Sequence, residues 1–119
     1  MALFVQNKDS VTKSLITNKV IHRKSLFSKA TGLMFHSKIF DEAHVFYFSK
    51  QFRISLTMFF VFFPIDVVFL RDMKVVEIKK NLRPFTNYTS KREADMFIEL
   101  PKGFISKHKI GVGSRLFLS

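Results

Sequence analysis

The residue best placed to do chemistry in this sequence is Asp66, an acid within an otherwise apolar segment. It follows a Pro-Ile pair and precedes the apolar run 67–70, so its charge is costly to bury without a partner. The carboxylate could accept backbone N–H bonds and lock a corner of the fold, or pair with a base such as Lys29 or Arg83. It could equally serve as a general base or a ligand contact, since buried acids often mark functional sites.

Four potential metal ligands lie within nine residues, at His36, Asp41, Glu42 and His44. Zinc and iron sites need ligands that converge with a defined geometry, such as two ligands one helical turn apart. Here a predicted loop and strand separate the two histidines, and the spacing matches no metal motif. We therefore predict neither a metal site nor a bound cofactor.

Motifs for nucleophilic catalysis and for nucleotide binding are absent from the sequence. No serine stands in a G-x-S-x-G elbow. The glycines Gly111 and Gly113 precede a predicted strand rather than a helix, which argues against a dinucleotide-binding loop. The absence of cysteine excludes a thiol nucleophile, a disulfide framework and a Cys-based zinc site. No catalytic residue is predicted.

The composition describes one basic globular domain. The chain has 119 residues, 47% of them apolar, and is therefore long enough to bury a hydrophobic core. Its formal net charge of +11 invites an anionic partner. We predict a basic N-terminal segment at 1–24, belonging to the same domain as a β-rich part at 25–119. The candidate contacts for a nucleic acid are the cations of this segment: Lys8, Lys13, Lys19, Arg23 and Lys24. Against that interpretation, cations occur throughout the chain and no helix-turn-helix, zinc-finger or RNP-type motif is present.

A membrane-spanning segment is not expected. The apolar run 54–70 is seventeen residues long and contains Pro64 and Asp66, whereas a spanning helix needs about 20 apolar residues without an unpaired charge. The first residues carry no basic region ahead of an apolar stretch, so they do not resemble a secretory signal. We expect a cytoplasmic location.

The periodicity of the apolar residues and the positions of turn-forming residues predict mostly strands. A short helix is expected over 25–33, capped by Ser25. Apolar and aromatic runs predict strands, and the polar segment 49–51 predicts a turn between the first two of them. The predicted strands are 43–48, 54–60, 65–70, 75–80, 96–100 and 114–118, with a turn at 71–74, a loop to about residue 90 and a helix within 101–109. The predicted fold class is mainly β, α+β at the margin: a compact antiparallel β-sandwich or barrel with one or two short helices.

The sixteen phenylalanines also need a place, since nine of them lie between Phe40 and Phe69. Core packing is the expected role of such residues in strands. The alternative is a binding surface for bases or an apolar ligand. In that case Phe59, Phe60 and Phe62, near the corner at Pro64, are the residues to examine.

Five segments occur in the order found in a known family of proteins. They are 32–35 (G-L-M-F), 58–70 (M-F-F-V-F-F-P-I-D-V-V-F-L), 74–78 (K-V-V-E-I), 97–103 (F-I-E-L-P-K-G) and 111–113 (G-V-G). Over residues 25–118 the chain resembles the uncharacterised family called domain of unknown function 192. The resemblance implies a compact, mainly antiparallel β-sandwich or barrel with a short helix, and the family has no established biochemical function.

One segment departs from the bacterial members of that family, which typically have F-W-M-K-N-T ahead of I-P-L-D. This chain has L-T-M-F-F-V at 56–61 and resembles the archaeal branch. Any role of the polar K-N-T triplet therefore does not carry over.

The favoured functional hypothesis is a non-enzymatic module that binds a small molecule or peptide. Its distinctive segments concentrate at two corners where Gly and Pro let backbones approach closely. The predicted cleft comprises Lys29, Gly32, Met34, His36, Met58 and Asp66. The alternatives are a nucleic-acid or anionic-surface binder using the basic segment, and a small enzyme with Asp66 as acid or base. The predicted oligomeric state is a monomer or weak homodimer.

Overall fold

Strands account for most of the fold. A computed structural model describes residues 1–23, 41–58 and 62–119. Within them lie eight strands and one short helix, α1 (Phe104–Lys107). The strands are β1 (Leu3–Gln6), β2 (Ser14–Thr17), β3 (Val20–Arg23), β4 (Ala43–Thr57), β5 (Ile65–Arg71), β6 (Lys74–Leu82), β7 (Asn87–Pro101) and β8 (Arg115–Leu118). The predicted mainly β class is confirmed, while the helix predicted at 25–33 lies outside the described residues.

All eight strands form one sheet, in the order β2-β1-β8-β6-β5-β7-β4-β3. Its pairings are antiparallel except that between β3 and β4. The two edge strands, β2 and β3, are separated in sequence by only Asn18 and Lys19. So short a link requires the sheet to curl until its edges approach each other, although β2 and β3 are not neighbours in the ladder.

The strands β4 and β7 are longer than predicted. The predicted turn at 49–51 is wrong, because β4 continues through these residues as one strand of 15 residues. Four residues, 48–51, stand opposite the single residue Asp95 of β7, between the pairs Tyr47↔Met96 and Phe52↔Ala94. Three of the four, 49–51, are polar and exposed; this is the composition of a turn, which is why the sequence pattern indicated one. The predicted loop likewise ends early, since β7 begins at Asn87.

The core divides between the two faces of the curled sheet, and β5 contributes to both. Its alternate residues Val68 and Leu70 belong to an inner cluster, and Val67 and Phe69 to a second one. The inner cluster consists of Leu3, Val5, Ile16, Ala43, Val45, Val68, Leu70, Val75, Met96, Ile98, Leu100, Ile105, Ile110 and Leu116. The second, here called the phenylalanine cluster, consists of Phe46, Ile54, Met58, Phe63, Ile65, Val67, Phe69, Leu82, Ala94 and Phe97. Burial on both faces explains the continuous apolar sequence of β5.

Two local predictions concern the segments that follow β5 and β7. The turn after β5 is formed by Asp72 and Met73, with φ angles of 52° and 65°, as expected for a tight hairpin of the I′ type. The helix predicted within 101–109 is shorter, because Pro101 still pairs with Ile65 as the last residue of β7. No helix in the described ranges 1–23, 41–58 and 62–119 is long and apolar enough to cross a membrane.

Candidate functional site

Asp66 lies at the start of β5 with a side chain that is 1% exposed. Its Oδ1 accepts the backbone N–H of Asn81 at 3.0 Å. Its Oδ2 accepts the N–H groups of Gly103 at 3.1 Å and Ile105 at 3.0 Å. Both oxygens therefore receive backbone donors, and the carboxylate joins the end of β6 to the start of α1. This arrangement matches the corner-locking alternative for Asp66, since ionised acceptors form strong hydrogen bonds.

The other described member of the predicted cleft is Met58, which is 1% exposed within the phenylalanine cluster. Its backbone continues the ladder beyond β4, with bonds to Thr86 and Phe85. Met58 packs on the face of β5 that carries Ile65 and Val67, whereas Asp66 lies between them and points to the opposite face. Lys29, Gly32, Met34 and His36 lie outside the described residues, so the predicted cleft stays a prediction.

A second buried carboxylate, Glu77, was not anticipated from the sequence. Its Oε1 accepts the backbone N–H groups of Lys91 at 2.8 Å and Arg92 at 2.9 Å, and its Oε2 accepts the hydroxyl of Tyr88. Burial and the bond to Glu77 raise the pKa of Tyr88 to about 12. Glu77 thus fixes the backbone of β7 at Arg92.

The position of Glu77 follows from an irregularity in β6. The pairs Phe69↔Glu77 and Leu70↔Val75 leave Val76 as an extra residue. Such a bulge reverses the in-out alternation on one side of it. The simple alternation predicted for 75–80 could not show which residue of β6 turns inward.

Two of the potential metal ligands, Glu42 and His44, contact each other, and Glu42 also contacts Lys19. The His44 Nε2 is 3.0 Å from Glu42 Oε1, and the Lys19 Nζ is 3.1 Å from Glu42 Oε2. Burial alone would raise the pKa of Glu42, but the hydrogen bonds and charges of His44 and Lys19 lower it overall. The predicted nucleic-acid contact Lys19 is thus engaged with a carboxylate. Among the described residues no group of three or more His, Asp or Glu could hold a metal ion.

A strongly charged concavity lies beside the turn between β5 and β6. It is a pocket of about 590 Å³, with three valines and one glycine among its lining residues. The described charged residues lining it are five cations and one acid: Lys8, Arg71, Lys74, Arg92, Arg115 and Asp72. We call this concavity the basic pocket. Of its cations, only Lys8 was among the predicted anion contacts.

Three cations of the basic pocket form a row across neighbouring strands. Arg71 of β5 pairs directly with Lys74 of β6, and Lys74 pairs directly with Arg115 of β8. Residues directly opposite one another project from the same face of a sheet. Because neighbouring strands are about 4.8 Å apart, the row extends about 10 Å across the strands. The three residues are called the cation row below.

The remaining contacts hold individual cations in place. The Arg71 guanidinium donates two hydrogen bonds to the Glu93 carbonyl oxygen, at 3.2 Å from Nε and 2.7 Å from Nη2. Its acceptor is a neutral carbonyl oxygen rather than a carboxylate. Arg92 is fixed through its own backbone, by the bond to Glu77 and by the Ser90 hydroxyl, which donates to the Arg92 carbonyl at 2.8 Å.

The Lys8 side chain reaches the basic pocket across a glycine. A Cβ built on Gly113 would lie 3.3 Å from Lys8 Cδ, and Gly113 has a φ of 97°. A glycine is favoured there by its conformation and by the close approach of the lysine stem. Within the described part of the chain, none of the five pocket cations has a carboxylate within 4.0 Å.

The other predicted anion contacts lie apart from the basic pocket or outside the described chain. The Lys13 Nζ lies 3.9 Å from the centroid of the Phe117 ring. Arg23 is the last residue of β3, and Lys24 is not described. Sequence reasoning missed Arg71, Lys74, Arg92 and Arg115 as a group. The predicted turn at 71–74 places Arg71 beside Lys74, but only the pairing of distant strands adds Arg92 and Arg115.

Comparisons with solved structures identify the same fold in two bacterial proteins. A protein of unknown function from Novosphingobium aromaticivorans gives a TM-score of 0.85 at 18% identity, with 99% of this chain and 84% of the other covered. A Sinorhizobium meliloti protein, described as a "putative transcription regulator", gives 0.87 at 19% identity, with 98% and 91% covered. At these sequence identities the comparison shows a shared fold and no more.

Sequence comparisons identify archaeal relatives that are themselves uncharacterised. A UPF0127 protein of Thermococcus sibiricus is 31% identical over 102 residues, which cover 84% of this chain and 66% of that protein, so the chain spans just under two-thirds of this relative. A UPF0127 protein of Pyrococcus abyssi is 30% identical over 98 residues, covering 82% of this chain and 84% of the relative. The family model DUF192, described as "Uncharacterized ACR, COG1430", matches residues 6–118. The chain therefore belongs to the DUF192 family.

Proposed function

We propose that this protein is a non-enzymatic binding module that holds an anionic ligand in the basic pocket. The observation that carries the proposal is the cation row, in which three positive side chains occupy directly opposed positions on β5, β6 and β8. Lys8 and Arg92 add two further charges around the same concavity. An anion in the pocket would offset the repulsion within the row and gain charge-assisted hydrogen bonds.

The arrangement of Arg71 supports a site that is formed before the ligand arrives. Its guanidinium is already fixed on the Glu93 carbonyl, so less side-chain entropy is lost when an anion binds. The Arg92 backbone is fixed by Glu77 in the same way. A solvated surface arginine would have neither restraint.

A compact ligand is favoured over a nucleic-acid strand. The described apolar residues that line the basic pocket are Val75, Val76 and Val112, without an aromatic ring among them. Proteins that bind single-stranded nucleic acids typically stack bases on aromatic side chains. A volume of about 590 Å³ is in the range of small-molecule sites, which is roughly 300–1,000 Å³. Nucleic-acid binding remains the alternative function.

The enzyme hypothesis receives less support from Asp66. A general base needs a lone pair directed at a substrate proton, whereas the Asp66 oxygens accept three backbone N–H groups. Asp66 also lies at the opposite end of β5 from Arg71. We assign no catalytic residue to the basic pocket.

The proposal can be tested by titrating ¹⁵N-labelled protein with inorganic pyrophosphate at constant ionic strength. We expect amide shifts concentrated at Arg71, Lys74 and 112–115, and at least tenfold weaker binding by the double variant Lys74→Gln, Arg115→Gln. The matched control is Lys50→Gln, which removes an exposed lysine from the β4 bulge and should leave binding within twofold. Shifts spread evenly over all lysines, or equal binding by the double variant, would refute the proposal.

A further inference from the structure

The cation row is linear, and this shape restricts the chemistry of the ligand. Its members stand on three neighbouring strands whose backbones are about 4.8 Å apart, so the Cα atoms of its two end residues are about 10 Å apart. The Arg71 guanidinium lies further out still, since it bonds to Glu93 of β7. Arg71, at one end, is held by the Glu93 carbonyl and cannot swing toward Arg115 without breaking two hydrogen bonds. A single small anion beside Arg71 would therefore leave Arg115 without a counter-charge.

We infer that the ligand of the basic pocket carries an oligophosphate chain of at least three phosphates, lying along the cation row from Arg71 to Arg115. This inference rests on the proposed function. A linear chain of phosphates presents a charge to each of three cations in succession. The guanidinium groups of the two arginines can each form paired hydrogen bonds with phosphate oxygens, and the lysine between them contributes a point charge.

An acidic peptide fits the same row less well. In an extended peptide, side chains on one side recur every second residue, about 7 Å apart. That interval is wider than the spacing between neighbouring strands, so fewer carboxylates than phosphates fit along the same length of the row. A phosphate chain has more closely spaced charges and fits within a pocket of about 590 Å³.

The two cations outside the row are placed to flank the same chain. Lys8 approaches over Gly113, in the segment just before Arg115, and Arg92 approaches from β7. The two therefore arrive from opposite sides of β5, β6 and β8. Each contributes a further charge to the basic pocket.

The triphosphate could come from a nucleotide or from inorganic polyphosphate. Val112, at the margin of the basic pocket, is 63% exposed. Among the three valines that line the pocket it is the exposed one, so a nucleoside could contact it. The two sources share the phosphate chain and differ only in this additional contact.

Calorimetric titration of the full chain with phosphate, pyrophosphate and tripolyphosphate, at one pH and one ionic strength, tests the inference. We expect affinity to rise at least tenfold from phosphate to tripolyphosphate. Arg115→Gln should remove the gain from the third phosphate and leave pyrophosphate affinity within threefold. The control Lys50→Gln should change neither.

Further titrations separate the sources and the competing explanations. ATP binding equal to that of tripolyphosphate assigns the site to the phosphate chain alone, whereas tighter ATP binding that Val112→Ser abolishes assigns it to a nucleotide. Two results would overturn the inference and leave the proposed function standing. One is equal affinity of the basic pocket for phosphate and tripolyphosphate, and the other is an affinity for hexa-aspartate equal to that for tripolyphosphate. Failure of every anion to bind there would overturn both.

Discussion

Lys74 and Arg115 are direct partners in the antiparallel ladder between β6 and β8. Two positive side chains thus face each other on one side of the sheet, and both are exposed. Directly opposed like charges destabilise a strand pair. The fold tolerates this repulsion at the wall of the basic pocket, where an anion would relieve it.

Removing one charge of this pair should stabilise the ligand-free protein. For Arg115→Gln we expect the free energy of unfolding to rise by about 0.5 kcal/mol at low salt, with the gain shrinking in 0.5 M NaCl because salt screens the repulsion. Urea denaturation at both salt concentrations measures the change. Lys50→Gln provides the control, and a loss of stability in Arg115→Gln would contradict the repulsion argument.

Asp66→Asn should destabilise the protein strongly. The amide offers one acceptor oxygen and an NH₂ group to three backbone donors that now bond to the carboxylate. Leaving one or more of them unsatisfied costs about 1–3 kcal/mol for each group. Urea denaturation should show a loss of about 3 kcal/mol, against less than 0.5 kcal/mol for the exposed control Asp9→Asn.

The same Asp66→Asn variant tests whether Asp66 contributes only to stability or also to binding in the basic pocket. Since Asp66 and Arg71 lie at opposite ends of β5, binding of pyrophosphate by the folded variant should stay within twofold of the parent. A stable Asp66→Asn protein with impaired binding would return Asp66 to a functional role.

Tyr88 should lose its proton only near pH 12, because burial and its bond to Glu77 raise its pKa to about 12. A group whose pKa rises on folding contributes stability that is complete below its unfolded pKa of about 10. That contribution is lost as the pH rises from about 10 to about 12. Stability should therefore fall over this range more steeply than in Tyr88→Phe.

Ultraviolet titration measures this pKa directly. Burial also raises the pKa of Tyr47, so the measurement is best made in Tyr47→Phe, where Tyr88 is the remaining tyrosine. Adding Glu77→Gln should lower the pKa of Tyr88 toward 10 and weaken pyrophosphate binding through the displaced Arg92. An unchanged pKa would mean that burial alone sets it.

The parts of the fold that depend on local pattern could be predicted from the sequence. The apolar run of β5 and the tight turn at Asp72 and Met73 are both confirmed, because burial and turn geometry constrain neighbouring residues. The basic pocket depends on register instead. Lys8 and Arg115 lie far apart in the sequence, and a one-residue shift in β6 would turn Lys74 to the other face. The positions of these side chains therefore depend on the pairing register of the whole sheet.

Gly113→Ala should weaken anion binding in the basic pocket by displacing Lys8. The new Cβ would lie 3.3 Å from Lys8 Cδ at a residue with a φ of 97°, which adds steric contact to a backbone strain of about 1 kcal/mol. Gly103→Ala is the matched control, because Gly103 has a φ of 91° and a Cβ there would meet nothing within 4 Å. Both variants should lose similar stability in urea denaturation, but only Gly113→Ala should bind pyrophosphate several-fold more weakly. Equal binding by the two variants would show that Lys8 does not contribute to the site.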